Sequence, residues 1–149
     1  MIKIVLMGCG RISKKHSELI GGGHIKGAQL VGVCDVDTLK AKELGEKYDV
    51  PYFQNIKDAL QNVDCDIVSI LTPSGMHSEN IIEVANYRKH IIVEKPMTLN
   101  EKDAISVIDE CKKKNVKLFV VKQNRFNLPI IKLKEAIEKQ KFGKLILAT

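Results

Sequence analysis

The sequence contains no tryptophan, and aromatic residues make up only 5% of its 149 residues. Such a chain offers few of the aromatic surfaces on which the bases of single-stranded nucleic acids stack. Long apolar runs are also missing: the longest reach about six residues, whereas a membrane-spanning helix needs roughly 20. The first apolar run leads directly into a glycine-rich turn, unlike the apolar core of a signal peptide. We therefore expect a cytoplasmic protein with no membrane partner.

Cysteine is scarce and dispersed along the chain. The four cysteines are Cys9, Cys34, Cys65 and Cys111, and no two of them have the C-x-x-C spacing of zinc and redox motifs. Buried, reduced thiols are typical of proteins from a reducing compartment. The sequence therefore predicts no metal site.

An excess of acidic residues is missing as well, since 24 Lys and Arg against 18 Asp and Glu give a formal net charge of +6. A basic chain either binds nucleic acid or simply carries a lysine-rich surface. The second interpretation is favoured, because the lysines are spread along the chain and the cluster Lys112–Lys114 ends a predicted helix, where cations suit the helix dipole. We expect no nucleic-acid partner, although the positive field would attract anions such as dinucleotides.

What the chain does have is a regular alternation of strand-like and helix-like segments. Strands are predicted at 2–7, 28–34, 51–53, 66–71, 90–93 and 117–121. Helices are predicted from Ser13 to Ile20, from Thr38 to Tyr48 with Leu39 and Leu44 inward, after the N-cap Asn55, from Ser74, after the N-cap Asn100, and from Pro129 to Lys139. Buried strands separated by helices predict an α/β, doubly wound (Rossmann) fold, with a mostly parallel six-stranded sheet and helices on both faces.

The last residues of the chain read as the start of another strand, at Leu145-Ile146-Leu147. A strand that begins there has no partner in the predicted sheet. We therefore expect residues 1–124 to form a dinucleotide-binding domain. Residues 125–149 would form a connecting helix and a first strand towards a second α/β domain, before which this chain is truncated.

The most informative local pattern follows the first strand, where Gly8-Cys9-Gly10-Arg11-Ile12 leads into a helix. Gly8 allows a sharp turn, and Gly10 lets a pyrophosphate approach the backbone at the positive end of the helix dipole. Ser13 stands where the G-x-G-x-x-G fingerprint has its third glycine. By itself this pattern is weak evidence for a nucleotide site.

Asp35 ends the second predicted strand, where a dinucleotide fold places the acid that binds the adenosine ribose. A carboxylate accepts hydrogen bonds from the ribose hydroxyls and repels a 2′-phosphate, which favours NAD over NADP. The alternative is a turn aspartate, with Asp37 as its neighbour.

Three further polar segments follow the later strands. Ligands of an open parallel sheet lie outside the carboxyl ends of its strands, so each segment is a candidate for the same site. The segments are Thr72-Pro73-Ser74 with His77 after the fourth strand, Glu94-Lys95-Pro96 after the fifth, and Lys122-Gln123-Asn124-Arg125-Phe126-Asn127 after the sixth.

Each of these segments has a chemical and a structural interpretation. Lys95 could hold a substrate hydroxyl and move its proton, or it could form a surface ion pair. Amides such as Gln123 suit carboxamide and sugar hydroxyl groups, and Arg125 suits an anion, but the segment could also be a polar loop. Ser74 could cap a helix, and His77 could be structural.

Taken together, these motifs resemble the Gfo/Idh/MocA oxidoreductases over essentially the whole chain. The matching residues are Gly8-x-Gly10-Arg11-Ile12-Ser13-x-x-His16, Asp35, Thr72-Pro73 with His77, Glu94-Lys95-Pro96, and Gln123-Asn124-Arg125. Within that family, the segment from Lys122 to Asn127 resembles the branch that oxidises UDP-N-acetyl-2-amino-2-deoxyglucuronate at C3.

The resemblance implies an N-terminal Rossmann domain followed by an α/β domain, and hydride transfer between NAD, or less readily NADP, and a sugar, cyclitol or UDP-sugar substrate. It implies a homo-oligomer, and it makes Lys95 the catalytic lysine. Cofactor contacts would come from Gly8, Cys9, Gly10, Arg11, Ile12, Asp35, Thr72, Pro73, Ser74, His77, Glu94, Lys95 and Gln123, and substrate contacts from Lys95, Asn124 and Arg125. The family's other acid and base residues lie in the second domain, so we expect the 149-residue chain alone to be inactive. A non-catalytic dinucleotide sensor remains the alternative.

Overall fold

The computed structural model describes residues 1–144 and 146, so the strand expected at 145–147 lies outside the described residues except for Ile146. The strands are β1 (Ile2–Met7), β2 (Ala28–Cys34), β3 (Tyr52–Phe53), β4 (Ile67–Ile70), β5 (His90–Val93) and β6 (Leu118–Val120). The helices are α1 (Ser13–Gly21), α2 (Thr38–Tyr48), α3 (Ile56–Asn62), α4 (His77–Asn86), α5 (Glu101–Lys113) and α6 (Leu128–Glu138). Short 3-10 helices lie at Ser74–Met76 and Gln123–Phe126.

The six strands form one parallel sheet in the order β3-β2-β1-β4-β5-β6. This is the order of the doubly wound dinucleotide fold, and the predicted fold class is confirmed. The chain builds outward from β1 to β3, returns to the centre, and then builds outward in the other direction from β4 to β6. The topological switch point therefore lies between β1 and β4.

Both faces of the central sheet carry apolar side chains because its strands are buried from either side. Leu6 and Leu30 pack with Ile20 of α1 on one face. Val5 and Val68 pack on the other face with side chains of α3, α4 and α5. This arrangement produces two core layers, as the continuous apolar strand segments predict.

Two details of the predicted helices differ in the structure. Leu39 was expected to point inward but is 78% exposed, because Ala41 and Gly45 form the buried face of α2. Gly45 leaves no room for a larger residue, since a Cβ there would lie 2.8 Å from the carbonyl oxygen of Val50. The helix expected from Ser74 begins as a 3-10 turn, and the α-helix itself starts at His77.

The predicted N-caps are confirmed. Asn55 Oδ1 accepts the backbone N–H of Asp58 at 2.8 Å, and Asn100 Oδ1 accepts that of Asp103 at 2.9 Å. Each asparagine also donates from its side-chain amide to the carboxylate of the same aspartate. These caps satisfy backbone groups that the first turn of a helix leaves without partners.

Candidate functional site

The register of the sheet brings the ends of its strands to one level. Met7 pairs with Cys34 of β2 and with Ile70 of β4, Ile70 pairs with Val93 of β5, and Val93 pairs with Val120 of β6. Each of these residues is the last of its strand. The loops that carry the predicted site residues therefore leave the sheet side by side, at its carboxyl edge.

The glycine turn after β1 is fixed by close contact with the chain that leaves β4. Gly8 has φ +101°, a conformation that favours glycine. A Cβ on Gly8 would also lie 2.9 Å from the carbonyl carbon of Leu71 and 3.0 Å from the amide nitrogen of Thr72. Any side chain there would push the β1 and β4 loops apart. At Gly10, by contrast, a Cβ would meet nothing within 4 Å, so the space in front of that backbone is open.

The N-terminus of α1 follows this open space. No side chain of the described residues caps the helix, whereas α2, α3 and α5 each have a capping side chain. Ser13, in the place of the third glycine, is 1% exposed and donates from its hydroxyl to the carbonyl oxygen of Gly10 at 2.6 Å. The small serine therefore permits close packing and also braces the turn.

Asp35 reaches from the end of β2 into the glycine turn. One carboxylate oxygen accepts the N–H of Cys9 at 2.6 Å, and the other accepts the N–H of Asp37 at 2.8 Å. The carboxylate therefore holds the turns after β1 and β2 together. Each oxygen keeps a lone pair for a further donor.

A cavity of about 720 Å³ lies over these loops. Of the predicted cofactor contacts, it is lined by Gly8, Gly10, Arg11, Ile12, Asp35, Thr72 and Pro73. Asp35 lies in its wall together with Gln54 and Asn55, which follow β3. The volume and the mixed apolar and polar wall suit a dinucleotide half.

Several wall residues were not predicted from the sequence. They include Lys40, Gln54, Met76, Asn80 and Glu83. Asn80 is 6% exposed and accepts the hydroxyl proton of Thr72 at 2.7 Å, which fixes the orientation of the Thr72 side chain. Helical spacing offered a signal for two of them, since Asn80 and Glu83 are three residues apart on α4 and share a face.

Charged groups at the β2 end of the cavity are paired. Lys40 Nζ lies 2.9 Å from Asp37 Oδ2. The hydrogen bond from Lys40 lowers the pKa of Asp37, and Asp37 in turn raises the pKa of Lys40. Asp35 has no such cation partner among the described residues, so its negative charge faces the cavity.

The thiols beside this carboxylate are held in the neutral form. Burial raises the pKa of Cys9 to about 12, and the negative charge of Asp35 adds to the effect. Burial likewise raises the pKa of Cys34, with smaller contributions from Cys9 and Asp35. A neutral Cys9 thiol adds no charge at the glycine turn, and its Sγ lies 3.6 Å from the carbonyl oxygen of Cys34.

The other predicted contacts lie off the cavity wall: Cys9, Ser74, His77, Glu94, Lys95, Gln123, Asn124 and Arg125. His77 is 1% exposed, so the structure places it beneath the loops, in the structural position considered above. Lys95 is exposed, precedes a cis peptide bond to Pro96, and forms no ion pair within the described residues. Gln123 to Arg125 lie exposed on a 3-10 turn.

No group of three or more His, Cys, Asp or Glu side chains within residues 1–144 and 146 could hold a metal ion. No helix in the same part of the chain is long and apolar enough to cross a membrane.

Comparison with known proteins finds a family match and several related proteins. Residues 2–122 match the family model of Gfo/Idh/MocA oxidoreductases, described as an oxidoreductase family with an NAD-binding Rossmann fold. The chain is 33% identical to the myo-inositol 2-dehydrogenase of Thermotoga maritima over 144 residues. This alignment covers 96% of this chain and 42% of that protein.

Solved structures show the same relationship. The WlbA dehydrogenase of Bordetella pertussis, in complex with NADH and UDP-GlcNAcA, superposes with a TM-score of 0.91 at 37% identity, covering 96% of this chain and 43% of that one. The scyllo-inositol dehydrogenase of Lactobacillus casei, with bound NAD(H) and scyllo-inositol, gives a TM-score of 0.89 at 27% identity, covering 97% of this chain and 43% of that one.

The chain thus spans less than half the length of these relatives, and it matches the part that carries the glycine turn and the parallel sheet. The family model extends from β1 to two residues past β6, and so includes the loops that follow β1, β2, β3, β4 and β5 at the carboxyl edge of the sheet. This chain therefore belongs to the Gfo/Idh/MocA oxidoreductase family, with residues 2–122 forming its NAD-binding Rossmann fold.

Proposed function

We propose that the protein containing this chain is an NAD-dependent dehydrogenase that acts on a sugar or sugar-nucleotide hydroxyl, with this chain as its cofactor-binding domain. The observation that carries the proposal is the common level of the strand ends. That level places the Gly8 turn, Asp35 and Thr72 around one cavity, with the Lys95 turn beside them.

The residues present fit a dinucleotide. The empty space in front of Gly10 and the uncapped N-terminus of α1 together offer backbone N–H groups and a positive dipole end to a pyrophosphate. Asp35, held at the end of the same cavity, would accept hydrogen bonds from the adenosine ribose. Thr72 and Pro73 would line the path from there towards the middle of the sheet.

The bound nicotinamide would accept or supply the hydride at a carbon that bears a hydroxyl group. The chain's own contribution to that step would come from Lys95. Its amine would hydrogen-bond to the substrate hydroxyl and move that proton as the carbon–oxygen double bond forms or disappears. Because Lys95 has no ion-pair partner among the described residues, its amine is available to a ligand.

The proposed substrate class rests on two kinds of support. The relatives named above include inositol dehydrogenases and a WlbA protein with bound UDP-GlcNAcA. In this chain, the exposed Asn124 and Arg125 offer an amide and a cation after β6, which suit sugar hydroxyls and an anionic group. We propose a polyhydroxylated substrate, with a UDP-linked uronate as the more specific candidate, and a homo-oligomeric complete protein.

The cofactor part is tested by calorimetric titration of the complete protein with NAD and NADP. We expect NAD to bind more tightly, because the negative charge of Asp35 repels a 2′-phosphate. Asp35→Asn removes that charge and should reduce the ratio of NAD affinity to NADP affinity. The matched control is Asp49→Asn, an exposed carboxylate at the C-terminus of α2 in a left-handed conformation that asparagine tolerates. A wild-type preference for NADP would contradict the proposal.

The catalytic part is tested by Lys95→Ala in the complete protein. We expect NAD affinity to stay within about threefold, since Lys95 lies off the cavity wall, and turnover to fall by a factor of about 100 or more. Unchanged turnover would remove Lys95 from the mechanism. Tight NAD binding by a complete protein that turns over no polyhydroxylated substrate would favour the non-catalytic sensor instead.

A further inference from the structure

The Lys95 turn is held on both sides, although Lys95 itself is exposed. Its preceding neighbour, Glu94, contacts a histidine from α1, and its following neighbour, Pro96, contacts a histidine from α4. The lysine side chain is therefore left free for a ligand while the backbone on either side of it is fixed. These contacts suggest a role for the two histidines, His16 and His77. The inference about that role rests on the proposed catalytic function of Lys95.

On one side the link runs from α1 through a carboxylate. His16 Nε2 donates to Glu94 Oε1 at 3.0 Å, and the two side chains are only 18% and 12% exposed. The other ring nitrogen, Nδ1, lies 3.4 Å from the hydroxyl oxygen of the buried Ser69. The other oxygen of Glu94 accepts the backbone N–H of Lys95 at 3.2 Å. His16 thus acts on Lys95 through one intervening side chain.

On the other side the link runs from α4 through two carbonyl groups. His77 Nδ1 lies 2.6 Å from the carbonyl oxygen of Pro96, and Nε2 lies 2.9 Å from that of Thr72. A carbonyl oxygen only accepts hydrogen bonds, so each ring nitrogen bonds its carbonyl only when it carries a proton, and it otherwise lies in contact with that carbonyl. His77 therefore ties the residue after Lys95 to the loop that carries Thr72.

Each histidine belongs to a helix that follows a cofactor loop. His16 lies one turn into α1, after the Gly8 turn, and His77 begins α4, after Thr72. The two histidines thus meet the two chain neighbours of Lys95, an exposed lysine at the carboxyl edge of the sheet. We propose that His16 and His77 are positioning residues that set the Lys95 amine relative to the cofactor and transmit occupancy of the two cofactor loops to the Lys95 turn.

The test uses the complete protein and two readouts. The first is steady-state kinetics. The second is the rate at which acetic anhydride modifies Lys95, measured by mass spectrometry with and without saturating NAD and divided by the rate at the exposed Lys102. The variants are His16→Ala, the conservative His16→Gln, which keeps a side-chain N–H donor, and the control His24→Ala, which removes an exposed histidine.

We expect His16→Ala to lower kcat between about tenfold and a hundredfold, because displacement of a catalytic group by an ångström is that costly, with KM for NAD within threefold. The NAD-dependent change in Lys95 modification should disappear. His16→Gln should recover part of kcat and part of the NAD-dependent change in Lys95 modification. His24→Ala should behave as wild type. His77→Asn, which keeps one donor in a buried site, should show the same loss of coupling.

The proposal is overturned if His16→Ala keeps wild-type kcat and wild-type Lys95 modification. It is also overturned if NAD affinity falls in proportion to kcat and His16→Gln restores neither, because the histidine would then only support the fold. If Lys95→Ala retains turnover, the proposed function of Lys95 fails. The modification readout still tests the positioning role in that case, since it needs no turnover.

Discussion

The carboxylate of Asp35 has two kinds of partner in this site. Its oxygens already accept the N–H groups of Cys9 and Asp37, and so hold the turns after β1 and β2 in place. The remaining lone pairs face the cavity, where a ribose would bind. Loss of this side chain would therefore loosen the Gly8 turn and also remove the ribose contact that the proposed function assigns to Asp35. The isosteric Asp35→Asn removes the charge and keeps the shape of the side chain, whereas alanine removes both.

The Cys9 thiol provides a prediction for single-residue chemistry. Its pKa is raised to about 12 from an ordinary value of 9.0, mainly by burial and then by Asp35. The reactive thiolate is therefore scarce at pH 8, and alkylation of Cys9 by iodoacetamide should be roughly thirtyfold slower than that of an unfolded cysteine. The measurement is the labelling rate of the Cys9 peptide by mass spectrometry in native protein and in denaturant.

The control for this prediction is Asp35→Asn, which removes the second cause of the shift and should speed the labelling. Because the folded-state pKa lies above the unfolded value, the unfolded state loses its proton first. This thiol's contribution to stability is therefore intact below pH 9 and is lost as the pH rises towards 12. Labelling as fast in native as in denatured protein would show that Cys9 is not held in a buried, neutral form.

At the scale of elements, the helices on one side of the sheet depend on polar caps. Asn100 both accepts the N–H of Asp103 and donates to its carboxylate, before a helix whose buried positions are Val107 and Cys111. The same pattern recurs at Asn55. Among the helices next to the cavity, α1 and α4 begin without a capping side chain in the described chain, and α1 is the one that follows the open space at Gly10.

We predict that Asn100→Ala lowers the free energy of unfolding by about 1 kcal/mol, because two hydrogen bonds at the first turn of α5 are lost. Denaturant unfolding of the variant and the wild type measures the change. Lys102→Ala, an exposed position in the same turn, is the matched control and should change stability by less than about 0.5 kcal/mol. Equal effects of the two substitutions would mean that the cap does not contribute.

At the scale of the whole molecule, α6 stands apart from the sheet. Every residue of α6 is at least partly exposed, and Ile130, Leu133 and Ile137 are 42%, 48% and 41% exposed along one face. The buried core lies within β1 to β6 and the helices between them. The boundary expected after residue 124 stays a prediction, and this separation of α6 from the core supports it.

Removal of α6 should therefore leave the rest of the fold intact. We predict that a chain ending at residue 127 unfolds within about 0.5 kcal/mol of the 149-residue chain and self-associates less, because the exposed apolar face has been removed. Denaturant unfolding and sedimentation velocity measure the two effects. A chain ending at residue 100 is the control and should not fold, because it lacks the buried Val107 and Cys111. A loss of several kcal/mol on removal of α6 alone would contradict the boundary.

Local patterns in the sequence determined the alternation of strands and helices, the Gly8 turn, the caps at Asn55 and Asn100, and the order in which the candidate residues leave the strands. These features depend on residues a few positions apart, where periodicity and turn chemistry act directly. Even there, the inward face of α2 was misjudged at Leu39, because the close approach of Gly45 to the chain around Val50 is a tertiary contact.

The tertiary structure alone decided which distant side chains meet. His16 and Glu94 are 78 residues apart in the chain, and Asp35 reaches the amide of Cys9 across 26 residues. Such contacts depend on strand order and register, and a shift by one residue would turn each strand's side chains to the opposite face of the sheet. For that reason the sequence identified Lys95 as a candidate, whereas only the folded sheet brought His16 and His77 to its two neighbours.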